Sequence, residues 1–148
     1  MMRQLIAASS AVLLCLCAHL SDAAQFTSAA SGSCMNLPEH GGFAPDGTQV
    51  RLFHCHDTAN QIWTVSNGQI NSSFGGCLDV QGSAPNNGAR VVIVACNGRP
   101  SQQWTLANGQ IVAIGGKCID VQGGSTADTT PLIITTCSSS PSQQWSLQ

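Results

Sequence analysis

The sequence predicts an all-β, closed architecture built from three equal units, and three observations carry that prediction. Trp63, Trp104 and Trp145 stand 41 residues apart, and Cys55, Cys96 and Cys137 keep the same interval, as do Asp46, Asn87 and Asp128. A fixed period of this length marks a repeat architecture. Within each period the apolar runs, residues 50–53, 91–95 and 132–135, are short and largely β-branched, with no helical periodicity. The composition agrees: of 148 residues 43% are hydrophobic and only 8% charged, with 15 Gly, which describes one turn-rich globular domain. Five Lys and Arg against seven Asp and Glu supply no basic stripe, and nucleic acid is excluded as a partner.

Read in order, residues 1–4 carry one Arg and no acid, and residues 5–20 form an apolar run. The run is shorter than the roughly 20 residues that a spanning helix needs. It ends in Ser21-Asp22-Ala23, with small residues at the positions that a signal peptidase reads. Residues 1–23 are expected to be a signal peptide, and residues 24–148 the secreted domain, without a membrane span. Cys15 and Cys17 each follow a Leu, which disfavours lipid attachment. Six of the eight Cys then remain, an even number in an exported chain, and this points to disulfides.

The first Cys of each unit, Cys34, Cys77 and Cys118, is preceded at two residues by Gly32, Gly75 or Gly116, and the wider first interval places a two-residue insertion in the first unit. Gln25-Phe26, Gln69-Ile70 and Gln110-Ile111 open the units, which span about 25–68, 69–109 and 110–148. Repeat symmetry leaves two pairing schemes, within a unit or from each unit to the next. The within-unit scheme is taken: Cys34 with Cys55, Cys77 with Cys96, Cys118 with Cys137, each bond stabilising by ~3 kcal/mol. Without any C-x-x-C pair a zinc site is not expected, and neither is a metal at His54 and His56. Asp46-Gly47 and Asn87-Gly88 read as type I′ turns, and Asp128-Thr129 as a turn of another type. Asn71-Ser72-Ser73 has the pattern of an N-glycosylation acceptor.

Gln61-Ile62-Trp63, Gln102-Gln103-Trp104 and Gln143-Gln144-Trp145 form a Q-x-W repeated three times. Each follows a related element: Cys34-Met35-Asn36-Leu37, Cys77-Leu78-Asp79-Val80 and Cys118-Ile119-Asp120-Val121. In these motifs the chain resembles the ricin B-type lectin family over its whole mature length. The resemblance implies a β-trefoil of three subdomains, one disulfide in each, the Trp packed in the core, and a shallow sugar pocket on each subdomain. It makes Trp63, Trp104, Trp145, Gln102 and Gln143 structural. It assigns sugar contacts to the Asp two after the first Cys, which unit 1 replaces by an uncharged acceptor with weakened recognition expected, the aromatic two before the second Cys, and the polar residue three before the Trp. In the first unit these are Asn36, Phe53 and Asn60, with Gln61 beside them. The second unit supplies Asp79, Val94 and Ser101, and the third Asp120, Thr135 and Ser142, so both hold a carboxylate but lack an aromatic.

Chemistry argues against catalysis. Acid-base work wants two tuned groups facing one another, whereas the mature chain has one Glu, Glu39, no Tyr, and only His40, His54 and His56. There is no G-x-S-x-G or H-E-x-x-H element. No cofactor is expected. The resemblance implies a secreted, non-catalytic lectin for galactose-like or xylan-like glycans. The other reading is a trefoil whose sugar sites have decayed and which binds a separate protein chain, as an inhibitor or as the cell-attachment subunit of a toxin.

Overall fold

The structure, a computed structural model, describes residues 23–148. The expected signal peptide lies outside the described residues except for Ala23, which already pairs with Thr64. Unit 1 holds β1 (Ala23–Ala24), β2 (Phe26–Ser28), β3 (Cys34–Asn36), β4 (Thr48–Gln49), β5 (Arg51–Phe53) and β6 (Trp63–Ser66). Unit 2 holds β7 (Gln69–Ser72), β8 (Cys77–Val80), β9 (Val91–Val94) and β10 (Thr105–Ala107). Unit 3 holds β11 (Gln110–Val112), β12 (Lys117–Val121), β13 (Leu132–Thr136) and β14 (Trp145–Leu147). The last strand of each unit pairs antiparallel with the first strand of the next, β6 with β7, β10 with β11 and β14 with β2. This last pairing closes the barrel, and Gln25 and Gln148 extend it by exchanging backbone hydrogen bonds of 2.7 and 3.0 Å. The result is a β-trefoil.

Its interior is layered by the repeat. Buried residues recur in triplets, such as Phe26, Ile70 and Ile111, or Leu52, Ile93 and Ile134. The three Trp are buried, and each indole N–H donates to a strand carbonyl of its own unit: Trp63 to Met35 at 3.1 Å, Trp104 to Leu78 at 2.9 Å, Trp145 to Ile119 at 3.3 Å. A buried Trp thereby contributes its large apolar area without leaving its one donor unpaired. The disulfides join Cys34 to Cys55, Cys77 to Cys96 and Cys118 to Cys137. Asn71, the residue of the glycosylation pattern, lies within β7, paired with both Thr64 and Cys77.

The turns depart from expectation. Gly47 (φ 88°) and Gly88 (φ 85°) have positive φ, but Asp46 and Asn87 do not, so these are not type I′ turns. In the third unit Thr129 (φ 68°) takes the same place rather than forming a different turn. Backbone bonds from Thr48 to Pro45, Ala89 to Asn86 and Thr130 to Ala127 close all three, and positive φ at the third residue alone is the type II pattern. The type I′ hairpins are elsewhere: Asn67 (φ 51°) with Gly68 (φ 76°), and Asn108 (φ 53°) with Gly109 (φ 77°), joining one unit to the next. The type II turns reach across units. The N–H of Gly47 donates to Ile93, that of Gly88 to Ile134 and that of Thr129 to Leu52. The preceding side chains do likewise: Asp46 accepts from Ala95 N–H at 2.9 Å, Asn87 bonds the Thr136 hydroxyl at 3.2 Å, and Asp128 accepts from His54 N–H at 2.7 Å. Every unit thus holds the strand end of the next, around a complete ring.

At the centre of the ring sits one side chain. Gln49 Nε2 shares its two N–H donors among the carbonyls of Val50, Val91 and Leu132, at 2.9, 2.9 and 3.1 Å. These three carbonyls are repeat-equivalent, so the amide lies on the pseudo-threefold axis.

Candidate functional site: the outer face of each unit's central hairpin

Each Q-x-W Gln ends a single 3-10 turn, Ala59–Gln61, Pro100–Gln102 or Pro141–Gln143, and is fully or almost fully buried. Its amide makes the same three bonds in every unit. In unit 2, Gln102 Oε1 accepts from Asn97 N–H, while Nε2 donates to the Ala95 carbonyl and to Asp79 Oδ2 at 3.1 Å. In unit 3, Gln143 accepts from Ser138 N–H and donates to the Thr136 carbonyl and to Asp120 Oδ2 at 3.1 Å. In unit 1, Gln61 accepts from His56 N–H and donates to the His54 carbonyl and to Asn36 Oδ1 at 3.1 Å. Gln61 therefore stands where Gln102 and Gln143 stand, with no polar atom to spare for a ligand.

This clamp fixes the state of the residue it reaches. Because Gln61 Oε1 is held by a backbone N–H, its other atom must be the donor, and the Asn36 atom facing it must be the oxygen. Asn60 Nδ2 also donates to Asn36 Oδ1, at 3.2 Å. Asn36 is itself buried, and its Nδ2 has no protein partner among the described residues, so unit 1 keeps one unspent N–H donor beneath its surface. Asp79 is buried and both its oxygens are engaged, Oδ1 by Val80 N–H at 2.7 Å and Oδ2 by Gln102. Asp120 Oδ1 is buried and has no partner among the described residues.

The neighbours differ as well. Across β3 and β5, Asn36 pairs with Arg51 and Cys34 with Phe53. Paired residues, and residues two apart on one strand, share a face of the sheet, so Asn36, Arg51 and Phe53 lie together. Phe53 is half-buried, with the Arg51 guanidinium carbon 5.3 Å from its ring centroid and the His54 ring 4.3 Å away. Across from Asp79 stands Val92, and across from Asp120 stands Ile133. Ser101 is buried with its hydroxyl unpartnered among the described residues, and Ser142 is buried with its hydroxyl 3.0 Å from that of Ser140. The structure thus gathers Asn36, Phe53 and Asn60 around one surface and leaves units 2 and 3 without a platform.

Sequence reasoning passed over Arg51 and Asp128. Arg51 was signalled by its spacing of two from Phe53, which puts both on one strand face. Asp128 comes from unit 3, and only the fold brings its Oδ2 to within 2.7 Å of His54 Nδ1. The His54 ring bond holds the Asp128 carboxyl below the usual carboxylate range, helped by the His54 N–H and by the charges of His54 and Arg51. A cavity of about 300 Å³ beside the β10–β11 hairpin, lined by Phe26, Leu106, Trp145 and Leu147 among others, contains none of the predicted site residues.

Comparison with known proteins agrees with this architecture. The chain is 27% identical to a designed threefold-symmetric protein, ThreeFoil, over 84% of this chain and 96% of that one, with a TM-score of 0.76. The C-half of the earthworm R-type lectin, solved with GalNAc, superposes with a TM-score of 0.71 at 12% identity, over 85% and 97% of the two chains. The ricin B-like lectin of Macrolepiota procera, solved with lactose, gives 0.72 at 20%, over 86% and 95%. The model of the ricin-type beta-trefoil lectin domain matches residues 22–145, and the chain belongs to that family.

Proposed function

We propose that the protein is a secreted, non-catalytic lectin that binds galactose-like or xylan-like glycans chiefly through unit 1. The observation that carries this is the half-buried Phe53 ring on the same strand-pair face as Asn36, with Asn60 hydrogen-bonded behind it. A sugar offers a weakly apolar C–H face and adjacent hydroxyls. An aromatic ring suits the first and fixed amides suit the second. In this reading Asp120 and Ser142 form a weaker subsidiary site, because Asp120 is half-buried where Asp79 is buried, although its unpartnered Oδ1 is enclosed. Asp79 and Gln61 belong to the scaffold, since their polar atoms are engaged within the protein, and so does Ser101, whose hydroxyl is enclosed. With one strong site per chain, useful avidity requires several copies on one surface.

The test is binding of the oxidised protein to an immobilised glycan panel in a multivalent format, with free-sugar competition and Phe53→Ala alongside. Binding that free sugar displaces and Phe53→Ala abolishes is expected. Capture of a protein partner that sugar does not displace would overturn the reading in favour of a protein-binding trefoil.

A further inference from the structure

The unit 1 site differs from its two sister sites in the sign of its polarity. Units 2 and 3 set a carboxylate, Asp79 or Asp120, against an aliphatic side chain, Val92 or Ile133. Unit 1 sets an amide against a guanidinium. The amide's oxygen is consumed by Asn60 and Gln61, which leaves its N–H donors. Arg51 is half-buried and forms no ion pair and no side-chain hydrogen bond among the described residues, and its Nε is wholly enclosed without a partner. Its guanidinium lies over the Phe53 ring, a cation–π contact that offsets part of the cost of its desolvation, but no anion touches it. Asp128, the carboxylate whose charge Arg51 feels, is taken by the His54 backbone and ring, while His54 and His56 flank Phe53.

We infer that unit 1 takes an acidic sugar, a pyranose bearing a carboxylate, with Arg51 as the residue that determines specificity. The sugar ring lies against Phe53, and its carboxylate lies toward the Arg51 guanidinium and the Asn36 Nδ2 donor. A planar guanidinium is the side chain best matched to a planar carboxylate, and bonds between charged partners are about twice as strong as neutral ones. This inference rests on the reading of unit 1 as a sugar site and names its ligand class.

Matched pairs of sugars test it. Galacturonic acid and galactose differ only in a C6 carboxylate, and competition for the intact protein is measured with both at low salt, with galactose 6-sulfate as a third arm. Galacturonate is expected to compete at least ~10-fold better than galactose. Arg51→Gln should erase that difference, while Arg51→Lys keeps part of it, with the thermal unfolding midpoint of each variant reporting that the fold is intact. Equal competition by the two sugars, still abolished by Phe53→Ala, would overturn the acidic-sugar inference and leave the lectin reading standing. Equal competition by the sulfate and the carboxylate would overturn the assignment to a planar carboxylate. If no sugar competes, both readings fall together.

Discussion

Unit 1 and unit 2 share a clamp but not a binding surface, and the difference separates what the fold requires from what it leaves free. In both, the Q-x-W amide directs Nε2 at the residue two past the first Cys, and that residue must supply an oxygen. Asn36 and Asp79 meet this demand equally. Their second atom is where they part. In unit 2 it is an oxygen tied to Val80 N–H, whereas in unit 1 it is a nitrogen beside Arg51 and Phe53. One atom of the side chain answers to the scaffold, and in unit 1 the other is left without a protein partner among the described residues.

The largest expected effect tests the shared part. Gln61→Ala and Gln102→Ala should each lower the free energy of unfolding by ~3 kcal/mol in a denaturant titration, since each strands three buried or half-buried polar groups. If Gln61→Ala left stability unchanged and removed only binding, the equivalence of the two clamps would be broken. Next in size, Phe53→Ala should abolish measurable glycan binding in competition assays, a loss of at least about thirtyfold, with little loss of stability, whereas Val94→Ala at the equivalent place should change binding little.

Asn36→Asp sharpens the comparison by giving unit 1 the residue of its sisters. The clamp survives, because an oxygen still faces Gln61. The new carboxylate faces Arg51, so binding of an acidic sugar should fall by about tenfold in titration calorimetry. A rise would show that the side chain at this position acts only as an acceptor.

The smallest effect concerns Asp128, which reaches unit 1 from unit 3. Its folded pKa is lowered, so the native state holds fewer protons there than the unfolded chain does. The stabilisation is complete above the ordinary aspartate value of about 4 and is lost as pH falls through that value to the lower folded one. Asp128→Asn should flatten the acid limb of the unfolding midpoint as pH is lowered from about 4, where the stabilisation begins to be lost. An unchanged acid limb would mean that the link between the two units carries no stability.

Much of this was legible in the sequence because the repeat is a statement about packing. Three Trp and three second Cys at one interval call for equivalent surroundings, from which the buried indoles follow and which limit the disulfides to two schemes. The turns were less legible. Asp46-Gly47 and Asn67-Gly68 have the same local chemistry, but the first has to pass a bond to Ile93 in the next unit, and that demand selects the turn type. The same limit hid Asp128, whose partner lies 74 residues away along the chain. Arg51 was overlooked for another reason: its meaning depends on which atom of Asn36 is spent, and a hydrogen-bond direction is not written in residue types.

The amide of Gln49 also constrains how this chain can vary. Three strands bring equivalent backbone to one axis, but there is room there for a single side chain, and the equivalent positions hold Arg90, which is exposed, and Pro131. Three copies of Gln at that level would compete for one volume and one set of acceptors. Gln can therefore fill the axis from only one copy, and a chain with Gln in all three places would have to leave two of them outside it.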